Sequence, residues 1–193
     1  MERGLPGTTL GCPPDKEAKA FAVLEPIFAV SGGGLALSQV AELTGLAPST
    51  IQNWVKRGWV ENPVAKKYDE TRVARILLIN LLRASMPLER IACLLAYVNG
   101  RVDDRTDDSI PDPQLYSLVC RALFRLQDGG HTERETLIPL IEEQLRGTPR
   151  NVPDAGERLL NALEIILLSA EAAMCIREAE ERYEQTIMKE GTV

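Results

Sequence analysis

The chain has 193 residues, 45% of them hydrophobic, and a formal net charge of −6 at pH 7. This length allows one domain or two small ones, and the hydrophobic content is sufficient for a packed core. The acidic total by itself argues against a nucleic-acid-binding protein. Four cysteines that never form a Cys-x-x-Cys pair, with the single histidine His131, offer too few ligands for a zinc site, so no metal or cofactor is expected.

The charge is unevenly distributed along the chain. Residues 31–100 contain eight Lys/Arg and five Asp/Glu, a net charge of +3, whereas residues 101–193 contain 11 and 19, a net charge of −8. A basic segment can therefore offer a local surface to an anionic partner although the whole chain is acidic.

The first residues predict a leader followed by a short helix. Residues 1–15 are rich in glycine and proline and lack the apolar run of a signal peptide. We therefore expect a flexible leader and a cytoplasmic location. Residues 16–30 are predicted to form a short helix that the glycines beginning at Gly32 stop.

Two helices joined by a tight turn are predicted next. The first lies within residues 35–45 and can be capped by the hydroxyl of Ser38, while Pro48 begins the second at a favoured first-turn position. Gly45 can adopt the left-handed backbone conformation that such a turn often needs, and Gly58 ends the second helix.

The apolar spacing in these helices is that of a helix-turn-helix motif. Ala41 suits a close crossing of the two helices, Gly45 follows at the turn, and Ile51 fills the space between the helices. The predicted cluster is completed by Val40, Leu46 and Trp54. The same spacing occurs by chance in many helical proteins. The residues on the outward face of the second helix must therefore show whether the motif is suited to DNA.

That outward face is polar, and residues 49–60 contain no acid. Gln52 and Asn53 are of the types that pair with adenine in the major groove, which is worth about 1–3 kcal/mol of base discrimination. Lys56 and Arg57, one turn later, suit phosphates. The alternative is an ordinary solvated face, but Asp and Glu are common on such faces. An anionic partner would explain their absence.

The segment after this helix adds two cations. Lys66 and Lys67 precede Tyr68 in a stretch that favours a loop or a small hairpin, and they could contact phosphates in the manner of a wing. A soluble turn is the alternative. Asp69 is predicted to cap a long amphipathic helix, and Pro87 to begin another.

Residues 101–113 are acidic and contain prolines, and we interpret them as a linker because their aspartates fit no EF-hand loop. Three more helices are predicted, over about residues 114–127, 133–146 and 154–189. A small molecule could bind among them as an effector, and a plain core is the alternative.

The last of these helices is apolar around most of its circumference. Glu164 and Glu171 interrupt its apolar run, and their spacing of seven places both carboxylates on one side. A narrow polar stripe of this kind is typical of a helix buried in a bundle or in a dimer seam, so we predict a homodimer and no membrane span.

The stretch LSQVAELTGLAPSTIQNWVKRGWV, followed by KKYDETRVARILLINLLR, resembles the winged helix-turn-helix domain of the MerR transcription regulators. The family pattern maps onto Thr50 to Trp54, Gly58, Lys66 to Tyr68 and the helices of residues 70–97. Over roughly residues 30–125 the chain looks more like a MerR-like bacterial family catalogued only as a domain of unknown function. The resemblance implies a winged-helix fold and DNA binding.

Two departures from the MerR pattern limit what the resemblance implies. Gln52 and Asn53 stand where MerR proteins have an Arg and a Tyr that bind backbone phosphate, so phosphate contacts are not carried over to these positions. Metal-sensing MerR proteins have paired cysteines near a long dimer helix, and this sequence has no such pair.

The sequence therefore predicts an all-α protein with a MerR-like winged helix-turn-helix over residues 16–100. A helical dimerisation region over residues 114–193, with a long C-terminal helix, follows the linker. The predicted function is a sequence-specific transcriptional regulator that binds double-stranded DNA as a homodimer. An enzyme is not expected, because no nucleophile–base pair or phosphate-binding loop is found. The predicted DNA-contacting residues are Ser38, Ser49, Thr50, Gln52, Asn53, Lys56, Arg57, Lys66, Lys67 and Tyr68.

The rival interpretation is a protein-interaction adaptor that reuses a winged-helix scaffold without binding DNA. In that case Trp54 and Trp59 would form the hot spot of the interface. The two interpretations differ in the salt dependence of binding and in the positions at which mutations act.

Overall fold

The computed structural model of the chain describes residues 3–106, 108–129, 134–146 and 154–188, so that His131 lies outside the described residues. The described part is mostly helical, which confirms the all-α prediction. Its elements in chain order are β1 (Arg3–Gly4), β2 (Gly11–Cys12), a 3-10 segment (Pro14–Val23), α1 (Glu25–Val30), β3 (Leu35–Ala36), α2 (Leu37–Thr44), α3 (Pro48–Lys56), β4 (Lys67–Tyr68), α4 (Glu70–Leu82), α5 (Leu88–Asn99), α6 (Asp112–Gln127), α7 (Arg134–Leu145), α8 (Ala155–Tyr183) and a π-helical turn (Glu184–Met188).

Helix α4 is the central element of the core. Every residue from Arg72 to Ile79 is buried, and the helix packs against α2, α5, α6 and α8. The Asp69 carboxylate caps its first turn, since Oδ1 accepts a hydrogen bond from the Arg72 backbone N–H at 2.9 Å, as predicted.

The N-terminal residues form an ordered hairpin, which corrects the prediction of a flexible leader over residues 1–15. β1 and β2 pair antiparallel, and Leu5 and Cys12 are buried. The Tyr116 hydroxyl donates a hydrogen bond to the Pro6 carbonyl at 2.6 Å. Gly7, with φ +75°, approaches α4 so closely that a Cβ atom there would lie 2.7 Å from the Leu77 carbonyl oxygen. The covering residues come from α4 and α6, so no local pattern revealed them.

The predicted acidic linker is likewise only partly a solvated connector. Asp103 is exposed, but Ser109, Ile110 and Asp112 are buried. One continuous hydrophobic core includes residues from Leu5 to Ala170, and thus from both predicted halves of the chain. The linker prediction is therefore corrected over residues 109–112, where the chain joins the core.

Helix α8 is half embedded in the bundle. Leu159, Leu163, Ile166 and Leu167 are buried, whereas none of the described residues that follow Ala170 is buried. The stretch Ala155–Ile187 is long and apolar enough to span a membrane by length and composition, and 39% of its most apolar window is buried inside the protein. Core helices of soluble proteins have the same properties.

Candidate nucleic-acid interface

Helices α2 and α3 are joined by the tight turn that the sequence predicts. Gly45 has φ +68°, the left-handed conformation, and ends α2. The predicted cluster between the helices is confirmed, with exposures of 0% for Val40, 6% for Leu46, 0% for Ile51 and 1% for Trp54. These contacts fix α3 with its Ile51 and Trp54 side pointing inward.

Side-chain hydrogen bonds hold this turn against α4. The Asn80 Nδ2 atom donates to the Thr44 carbonyl at 3.0 Å and to the Gly7 carbonyl at 2.9 Å. The Thr44 hydroxyl donates to the Val40 carbonyl at 2.7 Å. Buried carbonyl groups thereby obtain partners, so the position of α3 on the protein is set by the core.

The opposite side of α3 is open to solvent. Ser49, Gln52, Asn53 and Lys56 are exposed, and Thr50 is partly buried. None of the described residues, including the acidic second half, covers this face. The exposed side chains provide amide, hydroxyl and ammonium groups and no carboxylate, which is a surface suited to an anionic partner.

Ser38 does not cap α2, contrary to the prediction. The helix begins at Leu37 with Ala36 as its N-cap, and the Ala36 N–H donates to the Gln39 Oε1 atom at 2.8 Å. Ser38 is exposed in the first helical turn. A glutamine at the third position after the N-cap accounts for the difference, since its side chain reaches back to the free N–H.

The segment after α3 forms a small hairpin, one of the two structures that the sequence left open. Val64 and Lys67 exchange backbone hydrogen bonds of 3.0 and 2.8 Å, and β4 pairs antiparallel with β3. Ala65 and Lys66 at the tip have φ values of +48° and +62°. Two left-handed residues make the turn type that matches strand twist, although glycine or asparagine usually occupies such positions.

The hairpin and α3 border a common groove. Its volume is about 340 Å³, and its lining includes Gln52 and Val55 from α3 and Lys66 from the hairpin. The tertiary structure therefore brings Gln52 and Lys66, which belong to separate elements of the chain, to the same surface.

Two hairpin residues that were predicted to contact DNA, Lys67 and Tyr68, make contacts within the protein. The Lys67 Nζ atom donates to the Ser31 carbonyl at 2.6 Å, although the side chain remains exposed. Tyr68 is only 3% exposed, and burial raises the pKa of its hydroxyl. Tyr68 is thus part of the core that supports the hairpin, and its prediction as a DNA contact is corrected.

Arg57 is engaged within the protein. Its Nη1 atom lies 3.2 Å from the Glu89 Oε1 atom on α5, and its guanidinium stacks 5.0 Å from the centre of the Trp59 ring. Both members of the ion pair are more than half exposed, so the pair is worth at most about 1 kcal/mol. Arg57 can therefore leave Glu89 for a stronger anionic partner.

Glu61 and Asp69, two acids near the hairpin, are paired with arginines. Arg72, only 5% exposed, pairs with Glu61 at 2.6 Å and with Asp69 at 2.5 Å. Arg105 reaches the same two carboxylates, each at 3.2 Å. Arg105 could not be predicted as part of this cluster, because it lies in the acidic segment, far along the chain from both partners, and no local pattern indicates the pairing.

The adaptor interpretation loses its proposed hot spot. Trp54 is 1% exposed and belongs to the core between α2 and α3, while Trp59 is partly buried beneath Arg57. The two rings therefore do not form a joint exposed surface.

Among the described residues, no group of three His, Cys, Asp or Glu side chains could hold a metal ion.

Comparisons with known proteins show similarity to a domain and a protein of undescribed function. Residues 33–118 match the model of a domain of unknown function, DUF1836. The chain is also similar to the uncharacterized protein YkrK of Bacillus subtilis (strain 168), with 33% identity over 114 residues. That alignment covers 56% of this chain and 49% of YkrK, so the chain spans about half the length of this curated relative. No solved structure matches the chain.

These matches correct the expected kinship with MerR regulators. The matching family model is DUF1836. Neither this model nor YkrK is described as a MerR or helix-turn-helix protein. Part of the short MerR-like pattern, such as Gly58 after α3, meets the needs of a helix end. A pattern of this kind reports local backbone geometry, which unrelated families also have.

Proposed function

We propose that residues 35–68 form a winged helix-turn-helix surface that binds double-stranded DNA, and that the protein is a sequence-specific transcriptional regulator in the cytoplasm. The observation that carries the proposal is the exposed, acid-free face of α3 beside the Lys66 hairpin. In this arrangement α3 enters the major groove, and the hairpin follows the neighbouring phosphates.

The exposed residues then divide into two roles. Gln52 and Asn53 contact base edges, because their amides can donate and accept simultaneously to adenine. Lys56, Lys66 and the released Arg57 contact phosphates, which adds affinity without sequence preference. Ser49 lies at the start of α3, where hydroxyls and backbone N–H groups suit a phosphate.

The protein acts as a homodimer in this proposal. A few phosphate contacts support only non-specific dissociation constants of about 10⁻⁴–10⁻⁶ M at physiological salt. Two copies related by a two-fold axis double the contacts and read two half-sites about one helical turn apart.

Selection of binding sequences from a random DNA pool, followed by gel-shift measurement, tests the proposal. We expect a palindromic motif, with the Gln52→Ala variant selecting a different base at one position of each half-site. Lys19→Ala removes an exposed cation from the segment that packs on α6 and serves as the matched control. A pool that yields no motif, with equal binding by all three proteins, would contradict the proposal.

A further inference from the structure

The side of α8 that faces away from the bundle has an apolar stripe with regular spacing. Its large members are Ile165, Leu168, Ile176 and Tyr183, with exposures of 46%, 58%, 50% and 54%. Together with the exposed small residues between them, the outer stripe consists of Ile165, Leu168, Ala172, Ile176, Ala179 and Tyr183. Successive members are spaced by three or four positions, so all lie on one side of the helix.

The outer stripe lies opposite the side of α8 that is buried in the bundle. Leu159, Leu163, Ile166 and Ala170 point into the core, roughly half a turn away from the stripe. Beyond Ala170 the helix continues to Tyr183 without a buried residue. A helical segment as short as this one is marginal in water by itself, so a packing partner is needed to stabilise it.

The members of the stripe repeat with a fixed period along the helix. Ile176 lies 11 positions after Ile165, and the same interval separates Ala179 from Leu168 and Tyr183 from Ala172. This interval is an 11-residue repeat, which corresponds to about 3.67 residues per turn, close to the 3.6 of a straight helix. The stripe therefore runs almost parallel to the helix axis, so a second straight helix can follow it along its whole length.

Charge argues for a protein partner over a membrane or a nucleic acid. Residues 171–188 contain five glutamates and two arginines, a net charge of −3. Anionic lipid surfaces and phosphates repel such a segment. Residues 160–177 of this chain contain two glutamates and one arginine, a net charge of −1, so they repel it much less.

We propose that the outer stripe binds the outer stripe of a second copy of this chain in antiparallel orientation. The register that we propose places Ile165 opposite Tyr183 of the second copy, and Ala172 opposite Ile176 of the second copy. Each large side chain near the centre then lies over an alanine, which lets the helix axes approach to about 8–10 Å. This inference rests on the homodimer of the proposed function and names its contact surface.

A groove beside the stripe supports the antiparallel orientation. It has a volume of about 710 Å³ and lies between α8 and the start of α5, with Met86, Leu94, Ile165 and Leu168 in its wall. Antiparallel pairing brings Tyr183 of the second copy to the level of Ile165, where its ring can enter this groove. Parallel pairing would place the two Tyr183 side chains together and leave both grooves unfilled.

The charged residues that flank the stripe also match in this orientation. Glu164 and Arg182 are separated by about five full helical turns and so lie on the same side of α8. In an antiparallel pair with two-fold symmetry, equivalent sides meet. Arg182, which pairs with Glu178 of its own helix, therefore lies near Glu164 of the second copy.

Light scattering without DNA, at micromolar concentration in near-physiological salt, tests the association. We expect a dimer for the full chain and a monomer for Ile176→Glu. Ile138→Glu is the matched control, because Ile138 is an isoleucine of similar exposure, 41%, on α7. Circular dichroism verifies that both variants keep their helix content. A monomeric parent chain, or a dimer that survives Ile176→Glu with helix content unchanged, would overturn the proposal.

Cross-linking tests the orientation. Cys93 and Cys175 are the exposed cysteines and are replaced by serine, while the buried Cys12 and Cys120 are kept. Chains with Ile165→Cys and with Tyr183→Cys, distinguished by tags of different size, are mixed and treated with a short bismaleimide. Cross-links between the two variants are expected, and cross-links of Ile165→Cys with itself would instead show parallel pairing and overturn the register.

These measurements contain no DNA, so their outcome is independent of DNA binding. A cross-linked antiparallel dimer that selects no DNA motif would contradict the proposed function and leave the stripe assignment in place. A monomer that still selects a single half-site would contradict the stripe assignment and the homodimer, and leave sequence-specific DNA binding by α3 in place.

Discussion

The Arg75 guanidinium and the Asp112 carboxylate form a buried ion pair between the middle of α4 and the first residue of α6. The Arg75 Nε atom donates to the Asp112 Oδ2 atom at 2.7 Å, and the two side chains are 6% and 3% exposed. Asn99 at the end of α5 donates to the other carboxylate oxygen at 2.8 Å. Three helices thus meet at one carboxylate, which holds the predicted linker against the core.

Loss of this carboxylate should be strongly destabilising. We expect Asp112→Ala to lower the free energy of unfolding by roughly 3–5 kcal/mol, because it leaves the Arg75 charge buried without a counterion. Asp103→Ala removes a fully exposed pair with Arg101 and should leave the free energy of unfolding nearly unchanged. Urea unfolding followed by circular dichroism measures both, and equal costs would contradict the argument.

Asp69 should make the stability of the protein pH-dependent. Burial by itself would raise the pKa of Asp69, but the backbone N–H of Arg72 and the charges of Arg72 and Arg105 outweigh it and hold the pKa below its usual value of 3.8. A lowered folded-state pKa means that the stabilisation is complete above that usual value and is lost as the pH falls through the lower, folded-state pKa.

The Asp69→Asn variant isolates this charge, because asparagine is an equally good N-cap. We expect it to cost about 1 kcal/mol at pH 7, since the carboxylate is partly exposed and its ion pairs are screened. The difference from the parent chain should shrink as the pH falls below 4, which urea titrations at several pH values would measure. A difference that does not change with pH would show that the cap geometry, and not the charge, is responsible.

The hairpin tip stores conformational strain at Ala65. Ala65 has φ +48°, a conformation that glycine adopts without steric cost. We expect Ala65→Gly to raise the melting temperature, because relief of about 1–2 kcal/mol of left-handed strain exceeds the roughly 0.4–1 kcal/mol lost to the greater freedom of glycine in the unfolded chain. Ala96→Gly, in the middle of α5, should have the opposite effect by about 1 kcal/mol. A destabilised Ala65→Gly variant would mean that the turn is not left-handed in solution.

Glu89 should restrain DNA binding through Arg57. Glu89→Gln removes the partner of Arg57 and a negative charge close to α3. We therefore expect about threefold tighter binding to the selected DNA, because Arg57 no longer has to leave an exposed ion pair before it contacts a phosphate. Glu25→Gln, at the start of α1, removes an exposed carboxylate elsewhere and serves as the control. Fluorescence anisotropy at one fixed salt concentration measures the dissociation constants, and equal affinities of the two variants for the selected DNA would contradict the role of Glu89.

Lys56 and Gln52 should affect DNA binding in different ways. We expect Lys56→Ala to weaken binding to all sequences and to reduce the salt slope by about 1, because it removes a phosphate contact. Gln52→Ala should leave the slope unchanged and lose about 1–3 kcal/mol of discrimination at one base position. Competition gel shifts with the selected and single-base-changed duplexes separate the two effects, and a change of preference in Lys56→Ala would reverse the assignment.

The local parts of the fold could be predicted from residues that are close together in the chain. Gly45 at the turn, Asp69 at the start of α4 and the inward positions of Ile51 and Trp54 were all predicted, because caps, turns and helical periodicity depend on residues within about one turn of each other. The polar, acid-free face of α3 follows from the same periodicity. The exposed face and the hairpin cations could therefore be named in advance.

The residues that distant parts of the chain cover could not be predicted in this way, because their burial depends on long-range packing. The N-terminal hairpin contains few apolar residues, and its burial depends on Gly7 fitting against α4 and on Tyr116 reaching the Pro6 carbonyl. Tyr68 likewise lies in a stretch whose composition is typical of a surface hairpin. It nevertheless packs on the core, and only 3% of the residue is exposed. Periodicity reports which side of an element is apolar, but not which element will lie against it, because that choice depends on the packing of the whole chain.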